Sequence, residues 1–237
     1  YLSNGHVVNR YADGSSAEFA GEHVVRQTTA DGAVYTAFDD QNRPHRGTTG
    51  GDSFTVDYLN NGNVVNHYAD GSSAEFAGER VVRQSTGDGA VYTDFDGQNR
   101  PHRGSVGGES FSIDYLGNGN VVNRYSDGSS AEFQGEHVVR QTTADGAVYT
   151  DFDGQNRPHH GQAEGESFSI DYLGNGNVVN RYADGSSAEF AGERVVRQTT
   201  ADGAVYTDFD GQSRPHHGQA EGESFSIDYL GNGNVVN

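Results

Sequence analysis

The chain has 237 residues, 34 of them glycine, with only 32% hydrophobic side chains and a net charge of −19. It has no cysteine and its fifteen basic residues are all arginine, which excludes disulfides, thiolate metal sites and cysteine nucleophiles and sets nucleic acid and anionic lipid against the charge. No apolar run approaches the roughly 20 residues of a membrane-spanning helix. From the N-terminus, Tyr1-Leu2-Ser3-Asn4-Gly5 returns as Tyr58-Leu59-Asn60-Asn61-Gly62, and again at Tyr115, Tyr172 and Tyr229. The step is the same each time, without insertion or deletion, and it divides the chain into repeats 1–57, 58–114, 115–171 and 172–228, with 229–237 opening a further one. Repeats three and four differ at four positions only: Ser126/Ala183, Gln134/Ala191, His137/Arg194 and Asn156/Ser213. A start at Tyr1 in the middle of a hairpin reads as an excerpt from a longer array.

In repeat three the elements follow one another as short strands between turn dipeptides. Asn118-Gly119 and Asp127-Gly128 mark tight turns, because both residue types tolerate positive φ. Strands are predicted over 120–126, 131–134, 137–143 and 147–152, separated further along by Asp145-Gly146 and Asp153-Gly154. A last strand, 167–173, crosses into the next repeat. No segment of ten or more residues holds a helical period, so the chain is all-β. Alternation places Phe168, Ile170 and Tyr172 on one face, Val148, Thr150 and Phe152 on another, and Val121, Asn123 and Tyr125 on a third. The Val pairs 121–122 and 138–139 put an apolar group on both faces. Phe133, Phe152, Phe168, Ile170 and Val148 are expected inside, and Asp127, Asp145, Glu164 and Glu166 outside.

The aromatics Phe133, Phe152, Tyr172, Phe190, Phe209 and Tyr229 recur at nearly equal intervals, which gives three hairpin modules per repeat. One such hairpin buries too little to fold alone, so its stability comes from neighbours. The fold expected is an open linear stack of tandem β-hairpins, solenoid-like; a closed β-propeller is the alternative. The last nine residues duplicate the first nine instead of complementing them, which favours the open form.

Phe152-Asp153-Gly154-Gln155-Asn156-Arg157-Pro158 and its three counterparts from Phe38, Phe95 and Phe209 resemble the YD repeat of Rhs proteins, toxin-complex shells and teneurins, in which Tyr-Asp is followed two residues later by Gly-Arg. Here Phe stands for Tyr, and Asn42, Asn99, Asn156 or Ser213 stands for Gly. The resemblance implies β-hairpins of the same size as these modules in a secreted or surface bacterial shell, stacked as in those shells, and implies no chemistry.

Candidate chemistry is sparse. Asp94 and Asp96, Asp151 and Asp153, and Asp208 and Asp210 sit at alternate positions before a turn and could supply two or three of the six to eight oxygens calcium wants; the competing reading is a plain Asp-Gly turn. The same alternate spacing, roughly 7 Å, falls in the range of inverting glycosidases, yet it is common, and no enzyme is expected. His159-His160 and His216-His217 read as exposed loop residues, since neighbours on a strand point to opposite faces. Arg124, Arg140 and Arg157 read as ion-pair partners between neighbouring repeats. The function expected is structural: an extracellular bacterial fibre, stalk or cell-surface scaffold, with no cofactor unless calcium bridges surplus carboxylates. Its partners are further copies of the same array. The alternative is a repeat lectin or adhesin that stacks carbohydrate on Tyr125, Tyr149 and Tyr172.

Overall fold

Strands and turns alone make up the computed structural model, which describes residues 1–231 and 233–236. The six strands of repeat three set the pattern: β13 (Val121–Tyr125), β14 (Ser130–Gln134), β15 (His137–Thr142), β16 (Val148–Phe152), β17 (Pro158–Ala163) and β18 (Glu166–Tyr172). The same six recur at equivalent positions in the other repeats. Repeats one and two hold β1 (Val7–Arg10) through β12 (Glu109–Tyr115), and repeat four holds β19 (Val178–Tyr182) through β24 (Glu223–Ser226). Beyond them lie the short β25 (Asp228–Tyr229) and β26 (Val235–Val236), which pair with each other. The chain divides into two units, Tyr1–Ile113 and Asp114–Asn237.

Within each unit the strands form an antiparallel meander in which each strand pairs with the one before and the one after it, as in β13–β14, β14–β15, β15–β16, β16–β17, β17–β18 and β18–β19. Among the described residues no ladder joins the first strand of a unit to its last, so neither closes on itself. The all-β reading and the open tandem repeat both hold. The hairpins join edge to edge through backbone hydrogen bonds, so the backbone groups that each hairpin leaves open are met by the next hairpin in sequence.

Six turns per repeat fix the register. Four are three-residue loops closed by a left-handed residue. Examples are Tyr125 to Ser129 through Gly128 (φ 91°) and Thr143 to Ala147 through Gly146 (φ 91°), with Gly128 donating to the Tyr125 carbonyl at 3.2 Å and Gly146 to the Thr143 carbonyl at 3.0 Å. The other two are two-residue loops. Gly135 (φ 62°) opens the first, and Glu164-Gly165 (φ 52° and 87°) forms the second with both residues left-handed. At that second turn repeats one and two carry Gly50-Gly51 and Gly107-Gly108, whereas repeats three and four carry Glu164 and Glu221 at the left-handed first position. A Cβ is penalised there by about 1–2 kcal/mol, partly offset by the extra chain entropy of an unfolded glycine. Glu164→Gly with Glu221→Gly is therefore expected to raise stability by up to about 1 kcal/mol per site, read as a rise in urea midpoint at constant m-value.

Register defines two faces. Asn123 lies opposite Ala131, Ala131 opposite Gln141, Gln141 opposite Tyr149, Tyr149 opposite Gly161 and Gly161 opposite Phe168. This aromatic face also carries Ile170 and Tyr182. The other face runs through Val122, Glu132 and Arg140 and is mostly polar. Ala131, Phe168 and Ile170 are buried on the first face and Val122 on the second. Phe133, Phe152 and Val148, expected inside, are only half-buried, while Asp127, Asp145, Glu164 and Glu166 are exposed as expected. Among the described residues no large side chain falls below 2% exposure. The chain exposes 15390 Å², whereas two compact globules of half its mass would together expose about 12,500 Å². The core is therefore one side chain deep and is shared between adjacent strands.

Two departures from regular alternation matter. A bulge sets Phe133 opposite Val138 but Glu132 opposite Arg140, leaving Val139 as the extra residue. Counting from either end puts both valines on the Phe133 face, so the pair does not straddle the sheet as expected; the bulge recurs in all four repeats. Asp151, inside β16, has φ 57°, which interrupts the alternation between Thr150 and Phe152. Pro158–Ala163 is a strand where the sequence suggested a loop. Its central Gly161 lies directly under the Phe168 ring, with a Cβ placed there only 2.3 Å from the ring carbons Cε2 and Cζ.

Candidate functional site

The segment with the YD-like pattern builds a repeated cluster. Asp153 closes the β16–β17 turn by accepting from the backbone N–H of Gln155 at 2.8 Å and of Arg157 at 3.0 Å through Oδ1. Its Oδ2 takes Arg157 Nε at 2.8 Å and Nη2 at 2.7 Å, a two-pronged ion pair. These bonds, the Arg157 side chain first, hold the Asp153 carboxyl far below the usual carboxylate range. The Arg157 guanidinium lies 4.5 Å from the centre of the Tyr172 ring. The Tyr172 hydroxyl donates to the Pro158 carbonyl at 3.0 Å, and partial burial pushes its phenol up. His159 donates through Nδ1 to the Ile170 carbonyl at 3.2 Å and meets Tyr172 edge to face at 5.5 Å. The left-handed fourth residue of this turn is Asn42, Asn99, Asn156 or Ser213 (φ 56°, 57°, 56° and 58°), the position where the YD pattern has glycine. The cluster clamps β16, β17 and β18 together and joins one repeat to the next, since Tyr172 opens repeat four.

The calcium candidates part company in three dimensions. Asp153, Asp96 and Asp210 are each engaged with the arginine four residues on, at 2.7 Å. Asp151 and Asp208 reach His160 and His217 at 3.2 Å and 3.1 Å, and Asp94 lies 3.7 Å from Arg103. The left-handed backbone at Asp94, Asp151 and Asp208 removes the same-side geometry a regular strand would give. Among the described residues no three acidic or imidazole groups gather as a metal site would require. The two histidines lie on β17 rather than in a loop: His159 is half-buried in the clamp and His160 is exposed beside Asp151. Arg124 pairs across its repeat boundary with Asp114 at 2.7 Å as expected, and Arg181 does the same with Asp171, whereas Arg157, expected between repeats, makes its ion pair with Asp153 inside its own turn.

The tyrosines divide by role. Tyr172 is locked in the clamp. Tyr149 and Tyr182 flank Phe168, with ring centres 6.4 Å and 5.6 Å from it, and make a ladder over Gly161. Between Tyr182 and the next rung, Tyr206, the aromatic face sinks into a trough floored by Ala188 and Gln198 and walled by the β19–β20 and β21–β22 turns. It measures 420 Å³. The counterpart in repeat two runs from Tyr68 to Tyr92 over Ala74 and Gln84, a hollow of 290 Å³ that adjoins a second of 380 Å³ holding Asp52. Its walls stand closer for a visible reason. Gly87 replaces the alanine found at Ala30, Ala144 and Ala201, and a Cβ on it would lie 2.3 Å from the Asp70 carbonyl oxygen. Sequence reasoning missed this trough, because its floor is set by two small or polar residues on strands that only the register brings together.

No family model and no curated protein matches the sequence. Among solved structures, the TCP10 domain of Danio rerio CPAP in complex with a peptide of Danio rerio STIL is 15% identical with a TM-score of 0.28, over 92% of this chain and 96% of that one. The G-box domain of the microcephaly protein CPAP is 14% identical with a TM-score of 0.21, over 91% and 99%. The SAS-4 TCP domain in complex with a proline-rich motif of Ana2 of Drosophila melanogaster is 12% identical with a TM-score of 0.18, over 79% and 90%. These values are too low to carry an assignment of function.

Proposed function

We propose that the chain is the repetitive segment of an extracellular bacterial fibre, stalk or surface scaffold, related in its hairpin module to YD-repeat shells. The observation that carries this reading is the sequential ladder: among the described residues each strand pairs only with its chain neighbours, and the same six-strand pattern recurs in every repeat. Adding a repeat then extends the ladder without any new kind of contact, the property of quasi-one-dimensional proteins. In this reading the repeated carboxylates serve turns and ion pairs rather than a reaction. The left-handed residue at the glycine position of the YD pattern supports the relation. Arrays of two, four and eight repeats, imaged by electron microscopy, are expected to lengthen in proportion to repeat number. Compact particles whose longest dimension stays constant would overturn the scaffold reading.

A further inference from the structure

We propose that the troughs between Tyr182 and Tyr206 and between Tyr68 and Tyr92 are docking sites for a basic peptide segment, each seating one Lys or Arg side chain against the tyrosines with its cation on the carboxylates at the mouth. The two walls and the floor are built by separate strands and turns, so the concavity belongs to the fold. Tyrosine faces attract cations, and more so when partly desolvated.

The charge at the mouth has one sign. Glu166 shares the aromatic face with Phe168, two residues on; continuing the Phe168–Tyr182 register by two positions sets Glu166 across from Asp184. Both line the trough of repeat four, and no arginine or histidine does. In repeat two Asp52 and Asp70 occupy the same places beside Tyr68. Asp184 uses Oδ1 to accept the Ser186 backbone N–H at 2.8 Å. A carboxylate or phosphate ligand would meet only like charge here. The acidic pair is the same at both troughs, Asp52 with Asp70 and Glu166 with Asp184, so a partner with several basic residues gains by multivalency.

The test uses the full chain and an acetylated, amidated hexa-arginine peptide, titrated by anisotropy at about 0.15 M salt, where long-range attraction is screened. One variant combines Asp13→Asn, Asp70→Asn, Asp127→Asn and Asp184→Asn, each of which keeps the side-chain oxygen that caps its turn. A control removes the same charge outside the troughs, with Glu22→Gln, Glu79→Gln, Glu136→Gln and Glu193→Gln. The first is expected to weaken binding by about tenfold or more and the control by about twofold or less. In the unaltered chain the methyl resonances of Ala74 and Ala188 on the trough floors are expected to shift with the peptide. Equal weakening in the two variants would reduce the interaction to diffuse attraction by a chain of charge −19 and overturn the proposal. So would floor methyls that respond to a neutral oligosaccharide and not to the peptide.

Discussion

Alanine at Gly47, Gly104, Gly161 and Gly218 together is expected to unfold the array or bring it to the edge of unfolding. At each position an added Cβ would stand 2.2 to 2.3 Å from the nearest carbon of the facing Phe54, Phe111, Phe168 or Phe225. The ring cannot swing aside cheaply. Phe168 is held between Tyr149 and Tyr182, and Phe54 between Tyr35 and Tyr68 at 6.0 Å and 5.6 Å. Overpacking of this kind costs about 1–3 kcal/mol per site, and sites this far apart add. Four of them approach the roughly 5–15 kcal/mol by which a domain is stable at all. Urea unfolding of single-site and four-site variants reads the effect. Phe168→Ala in the Gly161→Ala background should cost less than the same truncation in the native chain, because the clash is already relieved. A four-site variant with an unchanged midpoint would mean that the rings have somewhere else to go.

Acid is expected to melt the array through its turns. Three aspartates per repeat close three-residue loops or the residues beside them: Asp127 with Ser129, Asp145 with Thr143, and Asp153 with Arg157. The hydroxyl of Ser129 or Thr143, or the Arg157 side chain, is the leading cause that holds each carboxyl below its ordinary value, and the equivalents in the other repeats shift the same way. A depressed folded-state pKa means that the unfolded chain takes up protons first. Stability from these groups is complete above the unfolded value of about 3.9 and is lost as pH falls through the lower folded values. Protonation also relieves repulsion in a chain of net charge −19, which acts the opposite way. The local bonds win at physiological salt, because repulsion is screened beyond about 8 Å while the turn contacts are direct. Thermal melts at about 0.15 M salt are expected to hold level from neutral pH down to about pH 4.5 and then to drop steeply. A melting temperature that climbs through the acid range would show that charge relief dominates.

Much of this fold is written in dipeptides. Asn118-Gly119, Asp127-Gly128 and Asp145-Gly146 announce their turns because glycine supplies the left-handed residue and Asp or Asn caps the backbone, and the strands between them then follow. The missed strand shows the limit. Pro158 opens Pro158–Ala163 and Gly161 centres it, and both residues argue against a strand when read alone. The signal lay seven residues away, in Phe168, whose ring covers the bare glycine and supplies the packing that the glycine lacks. Left-handed residues without glycine are equally silent. Asp151 and Glu164 look ordinary in sequence, yet Asp151 ends the alternation that had placed it on the same side as Asp153. The arginine four residues after Asp153 was legible as part of the YD-like pattern, but its stacking on Tyr172 was not, because that contact depends on the register of β16, β17 and β18 together.

The ladder has a consequence for the gene. Among the described residues of each unit a strand pairs only with its predecessor and successor, and equivalent residues recur at one fixed interval. A crossover between any two equivalent codons, wherever in the repeat it falls, therefore deletes or inserts a whole number of repeats and rejoins strands that already fit. Such an exchange yields shorter or longer alleles without passing through a misfolded one. Exchange of this kind also copies neighbours onto each other, which agrees with a third and a fourth repeat that differ at four positions only.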